Sequence, residues 1–156
     1  MRTWVGLVGW IVLCFVAAVV GNLGTSRGVV DWYPTLMKPS WNPPSWVFGP
    51  VWTTLYVMMG IAAWLVWKDR GWSGARLALT LFVAQLALNA AWSVLFFGMR
   101  RPGWAFAEIL VLLAAILVTL GLFWGIRRAA GLLLVPYAAW VAFASILNGA
   151  IWRLNR

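Results

Sequence analysis

Apolar positions fall in five long runs, broken by short polar or basic stretches. The runs extend from Trp4 to Leu23, about Trp46 to Trp67, Leu77 to Met99, Trp104 to Ile126 and Leu132 to Trp152. Each is close to the roughly 20 residues that carry an α-helix across a bilayer core. Tryptophans mark many of the ends: Trp4, Trp46, Trp67, Trp104, Trp124 and Trp152. An apolar ring with one N–H donor favours the membrane–water boundary, so this is the pattern of an aromatic belt. The expected fold is all-α: an integral membrane bundle of five transmembrane helices forming one domain over residues 1–156. The first run is longer than the apolar core of a cleaved signal peptide and no A-x-A site follows it, so it is expected to remain a helix. Connections at Lys68–Arg76, Arg100–Gly103 and Arg127–Gly131 are short, which predicts antiparallel neighbours.

The connection from Gly24 to about Ser45 is different. It is too long for a simple helix hairpin, and loops of this length are usually functional or disordered. Pro34, Pro39, Pro43 and Pro44 stiffen it, while Trp32, Tyr33 and Trp41 give it something to bury. Asn42 before Pro43 predicts a helix N-cap. Pro50 is expected to strip the Trp46 carbonyl of its partner and bend the start of helix two. The segment is expected to form a semi-rigid aromatic lid over one mouth of the bundle. The alternative is an interfacial loop whose rings lie among the headgroups.

Polar groups inside the spans keep to defined faces. Gln85, Asn89, Trp92 and Phe96 share one face of helix three, and Tyr137, Trp140, Ala144 and Leu147–Asn148 one face of helix five. Trp52 and Tyr56 are one turn apart on helix two. Amides in a membrane span need partners and point inward. Converging aromatic and amide faces suit an apolar pocket with a few orienting polar groups; the competing reading is interhelical hydrogen-bond staples and packing. Glu108, the carboxylate within a span, is expected to pair with Arg100, Arg101 or Arg153.

Composition sharpens the picture. Of 156 residues, 64% are hydrophobic and 10% charged, against roughly 25% charged in soluble domains. Mean hydropathy is +0.89. The net charge of +9 comes from basic residues clustered between apolar runs, which suits loops meeting anionic headgroups and not a nucleic-acid face. The lone Cys14 permits no internal disulfide, and the lack of histidine argues against a metal site or a Ser/His or Cys/His pair. Six basic residues fall on each side of the bundle, so charge does not set the orientation.

Several strings carry a resemblance. Trp32-Tyr33, Lys38-Pro39, Trp41-Asn42-Pro43-Pro44, Trp46-Val47-Phe48, Trp52 and Leu55-Tyr56, then "QLALNAAWSVLFFGMRRPGWA" and "PYAAWVAFASILN", resemble the translocator protein family, also called tryptophan-rich sensory proteins or peripheral-type benzodiazepine receptors. The resemblance covers nearly the whole chain. It implies a five-helix membrane bundle, often a homodimer, that binds porphyrins such as protoporphyrin IX and haem as ligands, with no cofactor. Cholesterol and synthetic isoquinoline or benzodiazepine compounds are further ligands it implies. Matching positions place Trp52, Tyr56, Asn89, Trp92, Trp104, Trp140, Ala144 and Leu147 in the ligand pocket under a lid containing Trp32 and Tyr33. Gly149 stands where the animal cholesterol motif has tyrosine, which argues against strong sterol binding and suits a bacterial membrane protein.

Three functions remain open from sequence. The leading one is a receptor, sensor or transporter-like protein for tetrapyrroles; the others are a light-dependent porphyrin-degrading protein and a scaffold without a small ligand. Ala87-x-x-x-Ala91, with Gly71-x-x-x-Ala75 and Gly74-x-x-x-Ala78, offers small residues for a two-fold homodimer through helix three.

Overall fold

The computed structural model describes residues 3–23 and 25–156. Arg2, counted among the charges above, and Gly24, the first residue of the long connection, lie outside the described residues. Among the described residues, five helices are long and apolar enough to cross a membrane. They are α1 (Trp4–Leu23), α2 (Phe48–Gly74), α3 (Arg76–Ser93), α4 (Pro102–Ile126) and α5 (Arg128–Leu154); a π-helical turn, Val94–Gly98, extends α3. No strand occurs among the described residues. The chain is an integral, multi-pass, all-α membrane bundle.

Small residues set the close approaches. Gly60 of α2 lies against α1, where an added Cβ would sit 2.8 Å from the Ile11 Cα. Small residues let backbones meet where no hydrophobic effect drives helices together. Helix α5 packs against α4 and α2, and α3 against α4 and α1. Apolar side chains also cover the outside: Val8 and Val12 on α1 and Val111 and Val118 on α4 are more than half exposed. In lipid that surface is solvated, whereas water would penalise an apolar patch of this extent.

Several boundaries differ from expectation. Helix α5 begins at Arg128 rather than Leu132, so the α4–α5 joint reduces to Arg127 in extended conformation (φ −152°, ψ 118°). Helix α2 starts at Phe48 after a 3-10 turn (Ser45–Val47) and runs on to Gly74, with Gly71 breaking it at φ 67°. An apolar run marks the bilayer thickness, but a helix with good formers continues past it into water. Gly71 permits the break because a left-handed φ is open to glycine. The expected pairing of Glu108 is absent: both its carboxylate oxygens are buried without a hydrogen-bond partner among the described residues. It sits beside the buried Ala105–Ile109–Leu112 stripe, while Arg100, Arg101 and Arg153 stay exposed at the helix ends.

The long connection is more ordered than a loop. It opens with a π-helical turn, Gly28–Trp32, and a 3-10 turn, Tyr33–Thr35, then becomes extended at Leu36. Pro34 sits in the first positions of the 3-10 turn, where a missing N–H costs nothing. Asn42 does not cap a helix, because Pro44 (φ −59°, ψ 144°) keeps the chain extended until Ser45. Pro50 falls in the first turn of α2, where the backbone N–H has no intrahelical partner anyway.

Candidate ligand-binding cavity

The helices are tied together at mid-bundle by a buried polar chain. The Tyr56 hydroxyl donates to Asn89 Oδ1 (2.8 Å), Asn89 Nδ2 donates to the Tyr137 hydroxyl (2.9 Å), and that hydroxyl donates to Gln85 Oε1 (2.6 Å). Three helices supply these four side chains because the 3.6-residue period stacks Gln85 over Asn89 on α3, facing Tyr56 on α2 and Tyr137 on α5. One turn further along α3, Trp92 Nε1 donates to Asn148 Oδ1 (2.9 Å), and Asn148 Nδ2 donates to the Pro102 carbonyl (2.9 Å). Each buried polar atom in these two chains thus has a partner, as a low-dielectric interior demands.

Above this layer is a cavity of about 950 Å³. Its walls are Phe15, Ala18 and Asn22 of α1, Trp52 and Tyr56 of α2, Asn89, Trp92 and Phe96 from α3 and its extension, and Trp140, Ala144 and Leu147 of α5. The Trp52 ring stacks on Tyr56 (centroids 5.6 Å apart, 30° between planes). Trp140 is held edge-on by Phe48 at 5.9 Å. These contacts fix the orientation of the aromatic faces that border the cavity.

The segment from Trp32 to Pro44 closes the cavity mouth. Trp32 and Tyr33 pack on Phe96 at 5.6 and 6.2 Å. Gly28 lets the segment reach the end of α3: a Cβ there would collide with the Phe97 carbonyl. The Tyr33 hydroxyl donates to Asn42 Oδ1 (3.3 Å), and Lys38 Nζ lies 4.6 Å from the centre of the Tyr33 ring. Burial pushes the Tyr33 phenol above its ordinary 10.0, with the Asn42 contact opposing the shift. A clamp joins the far edge to the end of α5: the Met37 N–H donates to Asn155 Oδ1 (2.9 Å), and Asn155 Nδ2 donates to the Met37 carbonyl (2.8 Å).

Of the residues expected to form a site, Tyr33, Trp52, Tyr56, Asn89, Trp92, Trp140, Ala144 and Leu147 border this one cavity. Trp32 backs the lid from behind without lining the space. Trp104 is elsewhere: it is 68% exposed and lines a separate recess at the start of α4. Helical geometry turns it away from the buried Ala105, one residue on.

A model of the TspO/MBR family matches residues 10–153. The chain belongs to the TspO/MBR family. Among its relatives, the human "Translocator protein" is 42% identical over 154 residues, covering 97% of this chain and 91% of the relative. The "Tryptophan-rich protein TspO" of Chlorobaculum tepidum is 44% identical, covering 92% and 91%. The "Tryptophan-rich sensory protein" of Cereibacter sphaeroides is 39% identical, covering 94% and 92%. The human relative is named as a translocator and the Cereibacter relative as a sensory protein, and none of the three is named as an enzyme.

Three features of this TspO/MBR chain were not legible beforehand. The α1 wall, Phe15, Ala18 and Asn22, lies in a run so evenly apolar that no face stands out. Lys38 and Asn42 reach the cavity through the turns of the lid, which their spacing does not encode. Asn155 follows the last apolar run, with no pattern to link it to Met37, 118 residues away.

Proposed function

We propose that this TspO/MBR protein is a membrane receptor or sensor that binds porphyrins, such as protoporphyrin IX or haem, in the cavity beneath the lid, and that it regulates tetrapyrrole metabolism. The observation that carries the reading is the cavity's make-up. Its volume is near the upper end of the roughly 300–1,000 Å³ usual for small-molecule sites, so a large flat ligand is favoured over a small one. Trp52, Trp92 and Trp140 offer ring faces and edges for stacking. Lys38 at the mouth is the cationic residue of the lining and suits a carboxylate at the edge of the macrocycle. The resemblance of the lid and helix motifs to a porphyrin-binding family supports the same choice, as does the sensory role named for the Cereibacter relative.

Binding, not catalysis, is the proposed activity. Among the described residues the lining brings tyrosines, amides and one lysine together but no carboxylate, so it offers no acid–base pair. Titration of the detergent-solubilised protein with protoporphyrin IX, read in the porphyrin absorption band, tests the proposal. One saturable site is expected. Trp140→Ala should weaken it by about 1–3 kcal/mol, as for a large buried aromatic contact. Non-saturating binding, or a folded Trp140→Ala protein with unchanged affinity, would overturn it. Porphyrin consumed in light but not in darkness would instead favour the degrading activity.

A further inference from the structure

A second recess, of about 480 Å³, lies at the start of α4 and the end of α5. Arg100, Arg101 and Arg156 line it together with Trp104, Trp152 and Asn155. None of the chain's three acidic residues, Asp31, Asp69 and Glu108, is part of it. Among the described residues the one ion pair is Arg127–Asp69, at the opposite end of the bundle. The three guanidinium groups of the recess make no hydrogen bond to another described residue, although Arg156 lies over the Trp152 ring at 5.4 Å. Three like charges on one concave surface repel each other, and an anion placed among them relieves that repulsion. Guanidinium groups match the oxygens of a phosphate in pairs.

The surroundings select the kind of anion. Trp104, Val111 and Val118 recur every seven residues and are 68%, 58% and 53% exposed. They form one apolar stripe that leads from the recess down the lipid-facing side of α4. Helix ends bearing tryptophan and arginine lie at headgroup depth. A molecule with a phosphate in the recess and acyl chains along that stripe satisfies both parts.

We propose that the Arg100–Arg101–Arg156 recess is a binding site for the headgroup of an anionic phospholipid, separate from the cavity under the lid. Asn155 belongs to the recess wall and also holds Met37 of the lid, so the bound headgroup sits beside the lid's clamp. Each arginine near an anionic headgroup strengthens binding by about fivefold.

Native mass spectrometry of the protein in detergent, with equal dioleoylphosphatidylglycerol and dioleoylphosphatidylcholine added, reads the preference directly. The unmodified protein is expected to retain the phosphatidylglycerol about a hundredfold over the phosphatidylcholine, as three such arginines imply. Arg156→Gln alone, at an exposed residue beyond the end of α5, should cut that preference about fivefold. Arg100→Gln/Arg101→Gln/Arg156→Gln should abolish it. A charge-matched control at the other end, Arg70→Gln/Arg76→Gln/Arg128→Gln, should keep it. An equal loss in the control would mean diffuse attraction by net charge and overturn the site. So would an unchanged preference in the Arg156→Gln protein. Displacement of the lipid by an equal concentration of inorganic phosphate would reassign the recess to free phosphate and overturn the lipid assignment.

Discussion

Replacing Asn89 by leucine probes the polar chain that supports the cavity. The side chains are similar in size, so the change is chemical. The Tyr56 hydroxyl loses its acceptor at 2.8 Å and is left buried without a partner. The Tyr137 hydroxyl loses the donor at 2.9 Å but still donates to Gln85 at 2.6 Å. An interhelical hydrogen bond within a membrane is worth about 0.6 kcal/mol on average, so the two lost bonds contribute about 1 kcal/mol. Stranding a buried hydroxyl adds about 1–3 kcal/mol. The more apolar leucine offsets part of this, which leaves a destabilisation of about 2 kcal/mol. Reversible unfolding in mixed detergent micelles, followed by helical circular dichroism, measures it. The decisive comparison is with Tyr56→Phe, which removes the hydroxyl that Asn89→Leu strands. If the network acts as described, Tyr56→Phe/Asn89→Leu is less destabilised than the sum of the single changes by about 1 kcal/mol. Strict additivity, or an Asn89→Leu protein as stable as the original, would refute the reasoning.

Other consequences follow from the lid and the outer surfaces. Asn155→Ala removes both hydrogen bonds to Met37, so amide exchange at Met37 should accelerate and bound porphyrin should leave faster; unchanged exchange would show that the clamp is not needed. Replacing Pro39, Pro43 and Pro44 by alanine should weaken porphyrin binding through added loop entropy while helical content stays constant, and an unchanged affinity would contradict a pre-ordered lid. The raised Tyr33 phenol favours its neutral form, so its contribution to lid closure is intact below the ordinary phenol value and is lost as pH rises towards the folded value. Lid exchange should therefore increase in alkaline solution above about pH 10, and Tyr33→Phe should remove that step. On α3, Ala87 is exposed and Ala91 half-buried; if α3 is the seam of the expected homodimer, Ala87→Leu/Ala91→Leu should shift the solubilised protein towards monomer, and a double variant whose oligomeric state is unchanged would remove α3 from that role.

The bundle was legible because lipid imposes a simple rule. Every spanning backbone must satisfy its own hydrogen bonds, so run length alone places five helices. The pocket was legible where polar residues interrupt that monotony: Gln85, Asn89 and Trp92 mark one face of α3 because amides inside a membrane must point at partners. The same rule fails for α1. Its one amide, Asn22, comes only in the last turn, and burial of Cys14 and Gly21 is decided by its neighbours. Trp104 shows the limit of position matching. Resemblance assigned it to the pocket, but its direction from α4 depends on where the helix starts. Asn42 is a further case, since the cap signal was overridden by the two prolines that follow it. The Asn155–Met37 clamp joins residues 118 positions apart in the chain, and local sequence carries no trace of it.

The central claim is that the cavity under the lid is where a porphyrin binds. Ala144 lines that cavity from α5, and it lies outside the polar chain that ties the helices together. Replacing it by tryptophan fills the space from within. The direct measurement is protoporphyrin IX titration of the Ala144→Trp protein beside the original, with thermal unfolding recorded for both. The account predicts that saturable binding falls at least tenfold while the helical fold is retained. Undiminished one-to-one binding in the folded Ala144→Trp protein would contradict it.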